Sequence, residues 1–438
     1  MTFLSRFFSG ILALLFVSGS LVSADALSRM TEEKLKAVRE ATSEFAKSRK
    51  EIPRSGPYTE YRANLHVHSA FSHDSRGKIE DILAAAKRAG TQILLFTEHP
   101  APHYDFYKDG HQGSRDGILM IPGAEMSGML VYPQESVKVS GSVGTIDVSN
   151  LVRRKGGLTF LAHLEERMKL DVPDITGVEI YNIHAIFKEQ KKLISSMKNP
   201  LWLVKTGALI NKYPQEAYSA LHDYPANYLA RYDELCQRRP HTGVSANDAH
   251  QNIGLRVKMA EGNKARIEDA LGEKVLEVDA GILGALFPIP KDAKSGTEIF
   301  RMQLDPYENA LRHAATHLLM KDQSKEAVWE ALEKGRAFVG FDWMADSRGF
   351  DLYLQEENKR FEIGEKLPLT KNLSLKGMAP LPGHWKIIRN GKTIKEFDGP
   401  NFVMDLDQPG VYRAEVWLDI AGERRVWILS NPIYISEN

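Results

Sequence analysis

The chain has 438 residues, enough for a barrel-sized domain plus one more, and an ordinary globular composition of 43% hydrophobic and 26% charged residues. Lys and Arg together number 57 and so do Asp and Glu, so no basic field points to nucleic acid as a main partner. The single cysteine, Cys236, excludes an intrachain disulfide and a thiolate zinc site, and reads as a small buried hydrophobe.

The first residues read as a targeting segment. Arg6 is the only charge before Asp25, Ile11 to Val22 is a short apolar run, and Val22-Ser23-Ala24 supplies small residues for cleavage. The expectation is a signal peptide over 1–24, cut after Ala24, and a secreted or periplasmic protein; an uncleaved anchor is the alternative. The run is short and broken by Gly and Ser, and no later stretch suits a bilayer, so the mature chain is expected to have no membrane span.

An Ala-rich, charged helix is expected over Arg29 to Lys50, within an N-terminal helical segment 25–57 that Pro53, Gly56 and Pro57 end. A strand then ends in Leu65-His66-Val67-His68-Ser69. Alternation along a strand points His66 and His68 to one face, where two imidazoles suit a divalent metal. The loop Phe71-Ser72-His73-Asp74 follows, then a helix over Gly77 to Gly90 with Ile79, Ile82, Leu83 and Ala86 on one face.

Gln92 to Phe96 is a continuous apolar run, as in a parallel strand buried on both faces, and it ends in Thr97-Glu98-His99. After a polar loop, Ile118 to Ile121 ends in Pro122-Gly123-Ala124-Glu125, with a further short strand at Met129 to Tyr132. A helix over Val148 to Lys155 leads to a strand, Leu158 to Ala162, ending in His163. Val178 to Tyr181 is another strand, carrying Glu179 and Asn182 near its end, and Phe187 to Lys198 is an amphipathic helix. Helices and loops over 199–240 lead to a last strand, Thr242 to Ala246, ending in Asn247-Asp248-Ala249-His250. Strands alternating with helices indicate an α/β domain whose strand ends share one face.

Helices are expected over Asp305 to Leu319 and Ser324 to Lys334. Beyond Asp342 the chain becomes alternating and turn-rich. Asn390-Gly391 marks a hairpin within Trp385 to Phe397, and strands follow at Val411 to Leu418 and Val426 to Leu429, suggesting a β-sandwich.

The polar residues past the strand ends are His66, His68, Asp74, His99, Glu125, His163, Asp248 and His250. Imidazole and carboxylate without thiolate suit Zn, Mn or Fe. Eight potential ligands exceed what one catalytic zinc takes, so at least two metals sharing a carboxylate are expected. Two metals about 3.5–4 Å apart can clamp both oxygens of a displacement at phosphorus.

The order H-x-H, Asp, T-x-H, G-x-E, a lone His and D-x-H, over about Tyr61 to Val257, resembles the PHP (polymerase and histidinol phosphatase) domain family. The resemblance implies an α/β fold, a distorted (β/α)7 TIM-like barrel (PHP fold) over 58–290. It implies a metal-dependent phosphoesterase with two or three divalent metal ions. Carried over, His66 and His68 would ligate one metal with Glu125 and Asp248; Glu125 would bridge to a second that His163 also binds; Asp74, His99 and His250 would serve a third. The family pattern differs from this chain at Glu98, where Asp is usual, at Ser75, where Gly is common, at Leu164, where Pro is common, and near Met129, where many members have a further His.

The domain order expected is thus 1–24 signal peptide, 25–57 helical segment, 58–290 barrel, 291–342 helical connection packed on the barrel, and 343–438 a small all-β sandwich domain resembling immunoglobulin-like modules of some secreted PHP proteins. His73, Glu179 and His184 are weighed as replacements for the further His missing near Met129 against structural roles, and are read as structural. His103, His111, His222, His241, His313, His317 and His384 are read as surface or satisfied polar residues. Arg76, Lys205 and Arg256 lie near motif positions and are weighed as phosphate holders against solvated or structural roles. Trp385, Trp417 and Trp427 are read as core rather than as a sugar platform.

The function expected is hydrolysis of a small-molecule or nucleotide-like phosphate mono- or diester by a metal-activated hydroxide, with Glu125 and with His99 or His250 assisting. An amidohydrolase-like metal hydrolase, whose pattern adds a bridging Lys, and a non-catalytic metal-stabilised scaffold with a binding sandwich are the rival readings.

Overall fold

A computed structural model describes residues 25–137, 143–196, 200–284, 289–290 and 292–437; the expected signal peptide lies outside the described residues. The strands of the first half are β1 (Thr59–Val67), β2 (Ile93–Phe96), β3 (Gly113–Arg115), β4 (Ile118–Ile121), β5 (Ala124–Met126), β6 (Met129–Tyr132), β7 (Leu158–Leu161), β8 (Gly177–Asn182) and β9 (Thr242–Ala249). β1 runs parallel to β2 and to β9, β2 parallel to β4, and β8 parallel to both β7 and β9. Pro122-Gly123 breaks β4 from β5, and β5 keeps contact with the end of β2 through a Glu98–Ala124 bridge. β6 is antiparallel to both β5 and β7. The pairings therefore return to β1 and the sheet closes on itself.

The short apolar runs form these strands because both faces are buried. Ala63 and Leu65, Ile93 and Leu95, Leu119 and Ile121, Leu130 and Tyr132, and Leu158 and Phe160 join one cluster with Val328, Ala331 and Leu332 of the helix Lys325–Lys334. The intervening residues, Leu94, Phe96, Met120, Val131 and Leu161, pack in a second cluster with Ile82, Leu83 and Ala86 of the helix Ile79–Ala89 and with Val148 and Val152 of the helix Thr145–Arg154. Gly90 ends the first of these helices in a left-handed cap, φ 76°.

Three expectations need correction. The tail of the expected barrel segment is a separate four-stranded antiparallel sheet, formed by β10 (Gly254–Ala260), β11 (Lys264–Asp269), β12 (Lys274–Asp279) and β13 (Glu298–Gln303) in the order β12-β11-β10-β13. Its strands are charged and mostly half-buried, with β12 largely exposed, so no apolar run announced them. The expected helix from Asp305 to Leu319 stops at His313, and Ala315–Met320 is instead strand β14. A short, partly apolar segment such as Ala-Thr-His-Leu-Leu-Met suits either structure; here Thr59–Ala63, the part of β1 that β9 does not pair, supplies an open edge for it. Residues 291–342 are consequently not only helical: β13, β14 and β15 (Ala337–Gly340) lie in or extend into them. The expected helix from Phe187 to Lys198 divides into Ile183–Glu189 and Lys191–Ser196, with 197–199 outside the described residues.

The C-terminal region is β-rich: β16 (Asp351–Glu356), β17 (Lys359–Glu362), β18 (Lys366–Pro368), β19 (Leu373–Arg389), β20 (Lys392–Asp405), β21 (Gly410–Ile420), β22 (Glu423–Ser430) and β23 (Ile433–Ser436). Asn390 (φ 50°) and Gly391 (φ 76°) make the β19–β20 hairpin turn, where both central residues need left-handed backbone. Trp385 and Trp427 are fully buried and Trp417 partly so; none forms an open platform. β14 pairs with β15 and β15 with β22, so hydrogen bonds run unbroken from β1 into this region. At the other end, the helix Glu32–Ser48 starts on a Thr31 cap. Before it, the buried Arg29 guanidinium binds the Ala220 and His222 carbonyls, Asp223 and Glu423. Among the described residues no helix is long and apolar enough to cross a membrane.

Candidate metal centre

The carboxyl ends of the ring strands meet at one site. β1 does not present His66 and His68 by simple alternation. Its register slips between Leu65 and Val67 on both sides, and His66 adopts a left-handed backbone, φ 64°. His163 (φ 46°) after β7 and Asp248 (φ 48°) in β9 do the same. For residues with a Cβ this conformation costs on the order of 1–2 kcal/mol each. Three strained residues at one site indicate that their side-chain directions matter more than local stability.

The eight residues singled out in the sequence converge. His66 Nε2 lies 3.1 Å from Asp248 Oδ1 and 3.3 Å from Glu125 Oε2. His68 Nε2 faces the same two oxygens at 3.6 and 3.7 Å. His163 Nε2 approaches the other oxygens, Glu125 Oε1 at 3.2 Å and Asp248 Oδ2 at 3.4 Å. Asp74 Oδ2 is 3.3 Å from both His99 Nε2 and His250 Nε2, and His99 Nδ1 is 3.8 Å from Glu125 Oε2. His184 joins them, Nδ1 3.1 Å from Asp248 Oδ2. It stands in the first turn of the helix Ile183–Glu189 rather than at a motif position, and this is why it read as structural.

These residues suit divalent cations. His66 Nε2, His68 Nε2, Asp74 Oδ1, Asp248 Oδ1 and His250 Nε2 are buried and without a hydrogen-bond partner. Potential ligand atoms within 4.8 Å of one another form the sets His66-His68-Glu125-Asp248, His68-Asp74-His99-His250 and His184-Asp248-His250. Leaving such atoms unmet is costly, and metal ligation satisfies them.

Four of the imidazoles are oriented from behind. His66 Nδ1 meets Glu179 Oε1 at 2.6 Å and His163 Nδ1 meets Glu165 Oε1 at 3.1 Å. His68 Nδ1 meets Ser72 Oγ at 3.0 Å and His250 Nδ1 the Asp248 carbonyl at 2.9 Å. Each partner suits an Nδ1 proton, so each ring, when neutral, turns a bare Nε2 inward. Ser72 in turn donates to Glu98 Oε2, and Glu98 also accepts from the Ser69 amide and hydroxyl. Glu98 is thus occupied behind the site and takes no place among the ligand sets. His99 has no such outward partner; both its ring nitrogens face carboxylates of the centre.

Burial disfavours charge on every one of these groups, and neighbouring charges decide the outcome. Burial lowers the His66 imidazole, but Asp248, Glu125 and Glu179 outweigh it and raise its pKa well above the ordinary value. His68 goes the other way, lowered well below it by burial and by His250 and His66. Burial is likewise overcome at His163, raised to about 10 by Glu125 and Glu165, and at His250, raised to about 8 by Asp248 and Asp74. Asp74, Glu125 and Asp248 stay ionised well below the carboxylate range, because facing histidines outweigh their burial. The site is a matched set of charges that a cation can enter by displacing protons.

A cleft of about 350 Å³ opens on this cluster, and Met126, Ser127, Gly128, Glu166, Arg167 and Lys188 complete its wall, Glu166 pairing with Arg167 at 3.0 Å. Gly128 has φ +76°, and a Cβ there would lie 2.0 Å from Arg167 Nε, so a glycine is needed both for the turn and for the guanidinium beside it. Arg76, Lys205 and Arg256 do not line the cleft. Arg76 binds the His73 and Ser75 carbonyls, and Arg256 pairs with Glu268 in the separate sheet. The two cleft cations carry no motif of their own, one following a 3-10 turn and one ending a helix, so only the fold reveals them. The exposed His73 reaches only 4.0 Å from Asp74. His313, His317 and His222 are buried elsewhere on Tyr181 and Ser219, on Glu60 and Asp342, and on Trp343.

The PHP domain family model matches residues 64–236, a stretch that includes six of the eight converging residues. Among solved structures, a two-domain protein from Bacteroides vulgatus ATCC 8482, described as containing a predicted PHP-like metal-dependent phosphoesterase, aligns with 87% of this chain and 97% of its own. The two share 12% identity at a TM-score of 0.34. No curated protein matches the chain.

Proposed function

We propose that the chain is a metal-dependent phosphoesterase acting outside the cytosol on a small-molecule or nucleotide-like phosphate mono- or diester. The observation that carries this is the convergence of His66, His68, Asp74, His99, Glu125, His163, Asp248 and His250, several with unmet buried atoms, in a region matching the PHP domain model. Two or three divalent ions, Zn, Mn or Fe, would be held by these residues, with Glu125 facing both the His66–His68 pair and His163. Bound there, the ions would supply Lewis acidity toward phosphoryl oxygens and lower the pKa of bound water.

The chain's own residues supply the rest. Arg167 and Lys188 neutralise phosphate oxygens that point away from the carboxylates. Where two ions are held and the Asp74 position stays open, His99, without an outward hydrogen bond and about a quarter exposed, is the group placed to deliver a proton to a leaving oxygen. His250 is nearly inaccessible, its Nδ1 held by the Asp248 carbonyl and its unmet Nε2 facing Asp74, and serves as ligand. Glu125 at the shared position, where an amidohydrolase pattern would need Lys, favours the phosphoester reading.

The finer architecture follows the same reading. With β4 and β5 counted as one broken strand, the ring is read as the distorted (β/α)7 barrel of the PHP fold, its one antiparallel member being β6. Residues 343–438 are read as an immunoglobulin-like module, supported by their antiparallel strands and hairpin chemistry. The secreted or periplasmic location rests on the sequence of 1–24 alone.

The test is hydrolysis of a chromogenic phosphomonoester and a chromogenic phosphodiester by the mature chain, with His66→Ala beside it. Turnover of either ester that needs divalent metal and falls at least about a thousandfold in His66→Ala supports the reading. Turnover untouched by that substitution removes it.

A further inference from the structure

Tyr307 opens the helix Tyr307–His313, well beyond the residues that the family model matches, yet its phenol lies beneath the metal cluster. Its hydroxyl is 2.7 Å from the His68 carbonyl, 2.8 Å from Ser75 Oγ and 3.2 Å from the His250 carbonyl. Ser75 Oγ is itself 3.1 Å from the His250 carbonyl and accepts from the Gly77 amide. All these groups are buried. The carbonyls of His68 and His250 lie just past the ends of β1 and β9, where the ladder no longer supplies donors. Two hydroxyls therefore replace the sheet at the point where two ligand-bearing segments leave it.

The local sequence is fitted to this contact. A Cβ at Gly77 would lie 2.0 Å from the Tyr307 hydroxyl, so the phenol enters only because that residue is glycine. Ser75 is its hydroxyl partner. The backbone of the same helix start is tied to the other segment: the Tyr307 amide donates to Gln251 Oε1, and Asp305 accepts from the Asn252 and Ile253 amides. Asn252 Nδ2 donates to the Asp74 carbonyl, closing the loop between the two segments.

Resting on the metal-dependent reading above, we infer that Tyr307, with Ser75, is a positioning residue that sets the distance between Asp74 and His250 and so builds the Asp74–His99–His250 metal position. His66 and His163 have their own supports in Glu179 and Glu165 and the His68 ring is turned by Ser72, so that side of the centre meets this pin only through the His68 carbonyl.

The experiment is calorimetric titration of the metal-free full chain with Mn²⁺, for wild type, Tyr307→Phe, Ser75→Ala and Asp74→Ala, with a thermal melt of each metal-free protein. The expected result is that Tyr307→Phe and Ser75→Ala weaken, tenfold or more, the same binding step that Asp74→Ala removes, while the remaining step stays within about twofold of wild type. A purely structural role would weaken every step together and lower the metal-free melting temperature; that outcome, or isotherms unchanged in both variants, overturns the inference. If Tyr307→Phe does not fold, Ser75→Ala decides on the same criteria. A wild type that takes up no Mn²⁺ removes the metal reading and this inference with it, whereas a wild type that binds while both variants match it removes this inference alone.

Discussion

Glu179 shows how much of the centre is decided by residues that never touch it. Fully buried at the end of β8, it holds His66 through Oε1, and its Oε2 accepts from the His163 amide and from Asn182. One carboxylate thus orients one ligand and anchors the strained backbone of another. Glu179→Gln is expected to weaken divalent-metal affinity about 10–100-fold with the fold intact, measured by chelator competition. Protonation gives a second prediction at this scale. In the metal-free chain His250 and His163 are raised to about 8 and about 10, above the ordinary imidazole value. Their contribution to stability is complete below about pH 6.5 and is lost as pH rises through those two values. Metal needs the neutral rings, so its affinity runs the other way and grows with pH, with protons released on binding. Melting with chelator and with Mn²⁺ from about pH 6 to about pH 9 should therefore show the metal-induced gain widening with pH; a gain that shrinks would contradict the assignment. The motif residues were legible in the sequence because each lies at or soon after the end of a predicted strand. Their orienting partners were not, because a Ser, a Glu or a carbonyl behind a histidine leaves no spacing to read.

Among the elements, the β5–β6 turn carries the most specific demand. Ser127 (φ 51°) and Gly128 (φ 76°) both adopt left-handed backbone, reversing the chain so that β6 lies antiparallel in an otherwise parallel run. Gly128→Ala is expected to cost about 1 kcal/mol or more in stability, seen as a lower melting temperature. By pushing Arg167 aside it should also raise KM for a phosphoester more than it lowers kcat; an unchanged KM would take Arg167 out of substrate binding. Of the short strands around this turn, β5 (Ala124–Met126) was not foreseen, while β4, β6 and β7 were legible as apolar runs. Their senses were not, because pairing direction depends on which edges are free. β14 makes the same point: Ala315–Met320, with Thr316 and His317 among its six residues, carries no period that separates strand from helix, and the open half of β1 makes it a strand.

On the scale of the molecule, the C-terminal region is bonded into the sheet rather than tethered to it. Phe338, Val339 and Gly340 of β15 pair with Ser430, Leu429 and Ile428 of β22. Arg54 spans to Asp351 and Glu362, both nearly buried, and Arg62 reaches Asp342, which also holds His317. Removing 343–438 would bare the edge of β15 and leave Arg54 without its carboxylates, a buried charge without partners. The full chain is therefore expected to unfold in one calorimetric transition, and a chain ended at Asp342 to be insoluble or to lack a cooperative one. Two separate transitions in the full chain would show independent units.

The central claim is that the eight converging side chains form a centre for more than one divalent ion. The most direct measurement is the metal content of the purified, gel-filtered full chain by mass spectrometry, with Asp248→Asn beside it, since Asp248 faces His66, His163 and His184 together. Two or three divalent ions per wild-type chain, falling by at least one in the variant, is the result expected. Wild type with less than one ion per chain after incubation with Zn²⁺, Mn²⁺ or Fe²⁺ would contradict the account.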